Sequence, residues 1–126
     1  MIYSIFPTKD TTLYEYTSSM NAGIDEILEI DKMISHSSEP AKNKVYNSRI
    51  LMQFDMAAVS KSISDGIIGK TNLSFYLNLY VSEADDVPYS YGLEARPVSQ
   101  SWEMGIGRRN HYPITKEGTS WKYRDG

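Results

Sequence analysis

Between Leu73 and Val81 the chain alternates with a period of two. Leu73, Phe75, Leu77, Leu79 and Val81 occupy one parity, and Ser74, Tyr76, Asn78 and Tyr80 occupy the other. Successive side chains of a strand point to opposite sides, so the pattern predicts a strand with one buried face. A helix would scatter the same five apolar residues around its circumference. The outward tyrosines agree with a strand, because aromatic rings suit a pleated, half-buried surface. A strand this cleanly sided is expected near the middle of a sheet, with the other elements as its neighbours.

The remaining pattern predicts those neighbours. Ile2–Phe6 is a short apolar run ended by Pro7, which cannot donate to a ladder. Thr12, Tyr14 and Tyr16 share a parity, so Thr11–Thr17 reads as a strand, followed by a small polar loop from Ser18 to Gly23. Ile24–Met33 fits a helical face through Ile24, Ile27 and Leu28, and a strand face through Glu26, Leu28 and Ile30; the strand-rich surroundings assign Glu26–Ile30 to a strand. Ser35–Asn47 reads as a long surface loop. Arg49–Asp55 is a firm strand with Ile50, Met52 and Phe54 inward, and Leu51 on the other parity implies partial cover on both sides. Met56–Ile63 permits a turn or two of helix. Ser64-Asp65-Gly66 and Gly69-Lys70 are turn signals. Leu93–Val98 reads as a strand placed at an edge or bulge by Pro97, and Thr119–Tyr123 as a short strand or turn after the irregular stretch Gly105–Gly118. Several strands joined by short and long loops predict an all-β fold, an antiparallel β-sandwich of the jelly-roll kind, occupying residues 1–126 as one domain.

Composition narrows the classes of function. At 126 residues the chain is long enough for one core without covalent staples. It has no Cys, which excludes disulfides and thiolate metal sites. The net charge of −3, with Arg108-Arg109 the only basic doublet, argues against a nucleic-acid partner. No apolar run is long enough to span a membrane, and Met1–Pro7 lacks the basic start and apolar stretch of a secretory signal. Ten tyrosines suit sheets and contact surfaces.

Candidate chemistry is sparse. His36 and His111 lie far apart without metal-ligand spacing and read as surface loop residues. There is no Gly-x-Ser-x-Gly elbow and no phosphate-binding Gly-x-x-x-x-Gly-Lys loop, so no catalytic residue and no cofactor is expected. Asp25, Asp31, Asp55, Asp85 and Asp86 are scattered and form no EF-hand; the Asp85-Asp86 doublet is the best of a weak set for a cation, and no metal site is expected. Arg49 is expected to pair with Asp55 or Glu29 across strands. Asn72-Leu73-Ser74 matches a glycosylation acceptor, which reads as coincidence at the opening of a strand. Trp102, Trp121, Tyr112 and Tyr123 would make a platform for stacking sugar rings, although packing at a corner of the sandwich is favoured for both tryptophans.

Five stretches stand in an order that resembles the DNRLRE-type β-sandwich domain: Pro7–Tyr14, Asn21–Ile30, Ser48–Asp55, the alternating stretch ending Leu77-Asn78-Leu79-Tyr80, and Trp102-Glu103 followed by Gly118-Thr119-Ser120-Trp121. Together they span nearly the whole chain. The resemblance implies a jelly-roll sandwich of the kind found in secreted carbohydrate-associated proteins and in virion proteins of tailed phages, cyanophages included. The Asn21-Ala22-Gly23 loop and the Trp121–Gly126 ending look closer to the phage members. It carries over no catalytic residues. Family members continue for several more strands after the tryptophan-containing turn. Either this sequence is a partial product, or a neighbouring chain completes the sandwich at an open edge. The expectation is a non-enzymatic structural component of a tailed-phage virion, in head decoration, neck or tail, assembled in the host cytoplasm. It would contact other virion proteins as a homo-oligomer or hetero-assembly through Tyr76, Tyr80, Tyr112, Arg108, Arg109 and the loops Ser35–Asn47 and Gly105–Gly118. The alternative is a carbohydrate-binding module stacking a glycan on Trp102 or Trp121.

Overall fold

A computed structural model describes residues 2–84, 90 and 92–125. Among the described residues strand outweighs helix, 19% against 9%, as an all-β expectation requires. Three strands, β1 (Pro7–Tyr14), β2 (Lys32–Ser35) and β3 (Lys44–Phe54), form one antiparallel sheet in the order β1-β3-β2. The central β3 divides its ladder. Its first residues pair with β2, from Lys32 opposite Asn47 to Ser35 opposite Lys44. The rest pair with β1, from Tyr14 opposite Ser48 to Pro7 opposite Phe54, with a register shift between Pro7 and Lys9. Pro7 opens β1, a position a strand tolerates because the missing N–H costs no interior ladder bond.

The residues gather into two compact units, 1–55 with 100–126, and 56–99. In the first, Thr11, Thr12, Leu13 and Tyr14 are buried in succession. Four consecutive buried residues mean that this end of β1 is covered on both faces, which erases the one-sided pattern of an ordinary antiparallel strand. Tyr14, Met20 and Ala22 form a small core against which the half-buried Ile114 packs. In the second unit, α1 (Ala57–Ser64) buries Val59 and is followed by the buried Ile68. The helix ends in a Schellman motif: Gly66 at φ +74° sends its N–H to the Ile63 carbonyl, and Ile67 sends its own to Ser62.

Several expectations are corrected. Leu73–Val81 is not a strand: it carries no ladder and every residue in it is exposed. Alternation shows which face a strand would bury, but a strand exists only where a second backbone accepts its hydrogen bonds, and no described residue does so. Leu93–Val98 lacks a ladder for the same reason, and Ile2–Phe6 stays irregular until Pro7. Glu26–Ile30 is irregular, with the strand displaced to Lys32–Ser35, because Glu29 and Asp31 bond to side chains instead: the Glu29 N–H donates to Thr12 Oγ1 and the Asp31 N–H to Ser48 Oγ. The loop expected over 35–47 holds a 3-10 turn at Pro40–Lys42 and the start of β3. The strand expected over 49–55 is the second half of β3, which ends one residue earlier at Phe54, with Ile50, Met52, Phe54 and also Leu51 half-buried. The helix expected over 56–63 is α1. The Asp85-Asp86 doublet lies outside the described residues.

Candidate functional site

The long irregular stretch after Gln100 is held by one side chain. Asn21, fully buried, donates through Nδ2 to the carbonyls of Met104 and Thr119, both at 2.8 Å. Its Oδ1 accepts the N–H of Gly23 at 3.1 Å and of Gly107 at 2.8 Å. An amide has two donors and an oxygen with two lone pairs, so every valence of this one is used. Backbone bonds from Asn21 to Thr115, Ile24 to Gly107 and Lys122 to Ser18 continue the same seam. Two loops without regular structure are thereby tied together through both side-chain and backbone hydrogen bonds.

Beside this seam lies a hollow of about 180 Å³ walled by Tyr14, Tyr16, Tyr46, Tyr112 and Arg109. Arg109 is fixed from three sides by the acidic segment before β2. Its backbone N–H donates to Asp25 at 2.9 Å, its guanidinium bonds the Glu29 carboxylate, and Asp31 stands at 3.6 Å. The guanidinium also lies 4.6 Å over the ring of Tyr14. The Tyr14 hydroxyl is shut from water and has no hydrogen bond of normal geometry, although Glu29 and Thr12 are close enough to act on it. Burial, and after it the Glu29 carboxylate, push this phenol up from 10.0 to about 12, against the opposing charge of Arg109.

That shift has a consequence for stability. Between pH 10 and 12 the unfolded chain gives up the Tyr14 proton and the folded chain keeps it, so stability falls as pH rises through this window and is unaffected below it. Urea midpoints measured from pH 9 to 12 are expected to drop less steeply for Tyr14→Phe than for the wild type. Parallel slopes would show that Tyr14 does not set the alkaline limit.

The other site residues are placed as follows. Arg109 is a structural tie and Arg108 is half-buried. Tyr76, Tyr80 and Tyr112 are more than four-fifths exposed, at 83%, 94% and 86%. Trp102 is buried, with the Lys9 ammonium 4.5 Å over its ring and bonded to its carbonyl. Trp121 is half-buried and carries the Arg49 guanidinium at 4.6 Å over one face. Arg49 thus meets a tryptophan, while Glu29 meets Arg109. His36 and His111 are exposed. Among the described residues no group of three His, Asp or Glu gathers as a metal site, and no helix is long and apolar enough to cross a membrane.

In the second unit the exposed apolar surface is concentrated in Leu73–Val81, where Phe75 is 68% and Val81 79% exposed. None of these nine residues makes a hydrogen bond with a described residue. A stretch that reads as a strand, yet leaves its five apolar side chains in water, is the surface feature most in need of a partner. The sequence contained the pattern, but the burial of Asn21 and the trapping of Arg109 had no local signal, because both depend on segments some 80 residues away. Comparison with protein-family models, with curated proteins and with solved structures finds no match to this chain.

Proposed function

We propose that this chain is a non-enzymatic structural component of a tailed-phage virion, a jelly-roll-like module in the head decoration, neck or tail that works by protein–protein contact and reaches the particle after synthesis in the host cytoplasm. The particle is suggested by the resemblance to DNRLRE-type virion proteins, and the mode of action by one observation: the uncharged, exposed stretch Leu73–Val81, which has no ladder among the described residues. Exposed apolar surface of this kind is ordinarily covered by another protein. Tyr76 and Tyr80 lie within it, and aromatic residues are enriched where partners meet. The alternative carbohydrate-binding reading is not favoured by the placement of Trp102, which is buried, and of Trp121, which is half-buried with the Arg49 guanidinium over its ring.

Mass spectrometry of purified particles is expected to find the chain. Phe75→Asp is expected to leave folding intact, since the ring is already in water, and to cut incorporation by about tenfold or more, since a carboxylate buried in an interface without a partner costs several kcal/mol. Absence from particles, or full incorporation of Phe75→Asp, would overturn the proposal.

A further inference from the structure

We infer that the partner of Leu73–Val81 is the same stretch in a second copy of the chain, paired antiparallel about Leu77. The inference rests on the assembly reading and names the occupant of its contact surface. Four features of the sequence select a copy of itself. The stretch is uncharged, so two copies meet without the like-charge opposition that destabilises cross-strand pairs. Its pattern is symmetric about the centre: Leu77 meets Leu77, Phe75 meets Leu79, and Leu73 meets Val81, while Ser74 meets Tyr80 and Tyr76 meets Asn78. Apolar side chains therefore face apolar ones through the whole length. A register shifted by one residue would set every apolar side chain against the polar parity, and among the registers of the right parity only the one centred on Leu77 pairs all nine residues. The charges that flank the stretch, Lys70 and Glu83, are opposite in sign, and antiparallel pairing brings each near the other's counterpart.

The physical drive is that the stretch has no ladder among the described residues. Nine residues expose N–H and C=O groups to water and five apolar side chains beside them. A two-fold pairing satisfies the backbone groups along one edge of each copy and gathers the apolar side chains of both copies on one face of the ribbon. A second ribbon closes that face by stacking, as two sheets do in a sandwich. The expected species are therefore dimers and even-numbered multiples, formed through an isologous contact.

The absence of native Cys makes the register directly testable. In the paired form a residue at position 77 lies opposite its own copy, within disulfide reach, whereas a residue at 75 lies four positions, about 13 Å, from its own copy. Leu77→Cys under mild oxidation is expected to move most of the protein from one chain to two on a non-reducing gel. Phe75→Cys alone is expected to remain single, and Phe75→Cys mixed with Leu79→Cys to cross-link. Equal cross-linking of the two single variants, or none by Leu77→Cys, would overturn the pairing. All these positions are exposed, so loss of the fold does not confound the result. Charge reversal gives a second readout: Lys70→Glu is expected to shift sedimentation toward the single chain, and Lys70→Glu with Glu83→Lys to restore the oligomer. A Leu77→Cys chain that stays single while Phe75→Asp still blocks incorporation into particles would remove self-pairing and leave the assembly reading standing.

Discussion

Asn21→Ala is expected to cost the first unit about 4 kcal/mol, read as a lowered urea midpoint in tryptophan fluorescence. Both tryptophans, Trp102 and Trp121, lie in that unit, so the signal reports it alone. Alanine removes four hydrogen bonds at once and leaves the N–H groups of Gly23 and Gly107 and the carbonyls of Met104 and Thr119 without their partner. A buried group so orphaned costs about 1–3 kcal/mol each. Water entering the vacated space recovers part of this, which keeps the total near the lower end. Since whole domains are stable by only about 5–15 kcal/mol, this removes a large part of the margin, and the variant is expected to stay folded in water but to unfold at a much lower urea concentration. Asn21→Asp separates hydrogen bonding from shape. It has nearly the same outline, but its carboxylate oxygen replaces the donor that faces two carbonyls, and its charge is buried. Its folded pKa is therefore raised, and the variant is expected to regain stability as the pH falls and the group is protonated. A loss below 1 kcal/mol for Asn21→Ala, or an Asn21→Asp variant indifferent to acid, would mean that the seam is held by its backbone bonds alone.

The seam shows why some of the structure could be read from the residues and some could not. Arg49–Asp55 was readable because its apolar alternation is local and its partner lies within the same chain. The short helix at Met56–Ile63 was readable because Ala57, Ala58 and Val59 permit it and Ser64-Asp65-Gly66 stops it. Leu73–Val81 has a stronger alternation than either, yet it has no ladder among the described residues. Parity states which side would be buried, and only a second backbone decides whether burial occurs. Conversely, Thr11–Tyr14 is buried on both faces because β3 lies along one edge and segments from elsewhere in the chain cover the rest, a fact no period of two can express. Asn21 is the extreme case. Asn in a run of small polar residues is a loop signal, and the loop is there. Its depth comes from carbonyls at Met104 and Thr119 that sit far along the chain, so position in sequence and position in space are unrelated. The acidic residues from Asp25 to Asp31 follow the same logic: scattered in the sequence, they converge on Arg109 because its loop is pinned beside them by that seam.

Gly118→Ala and Gly66→Ala are expected to differ by about 3 kcal/mol, although both glycines have positive φ, +89° and +74°. The dihedral penalty is common to the pair: an L-residue forced into the left-handed region costs roughly 1–2 kcal/mol. At Gly66 that is the whole cost, because an added Cβ meets nothing within 4 Å and the Schellman turn has open space around it. At Gly118 the same carbon would come to 2.5 Å from Gly105 Cα, 2.7 Å from Asn21 Nδ2 and 2.8 Å from the Gly105 nitrogen. None of these is the loose end of a flexible side chain. Two are backbone, and the third is an amide already fixed by four hydrogen bonds, so relief requires the seam itself to open. Overpacking of this kind adds roughly 1–3 kcal/mol, and the broken Asn21 geometry adds to it. Gly66→Ala is to be followed by helical circular dichroism, since α1 is the α-helix among the described residues, and Gly118→Ala by tryptophan fluorescence. Equal losses at the two positions would show that backbone conformation alone governs both, and that the close approach of Gly118 to Asn21 carries no energetic weight.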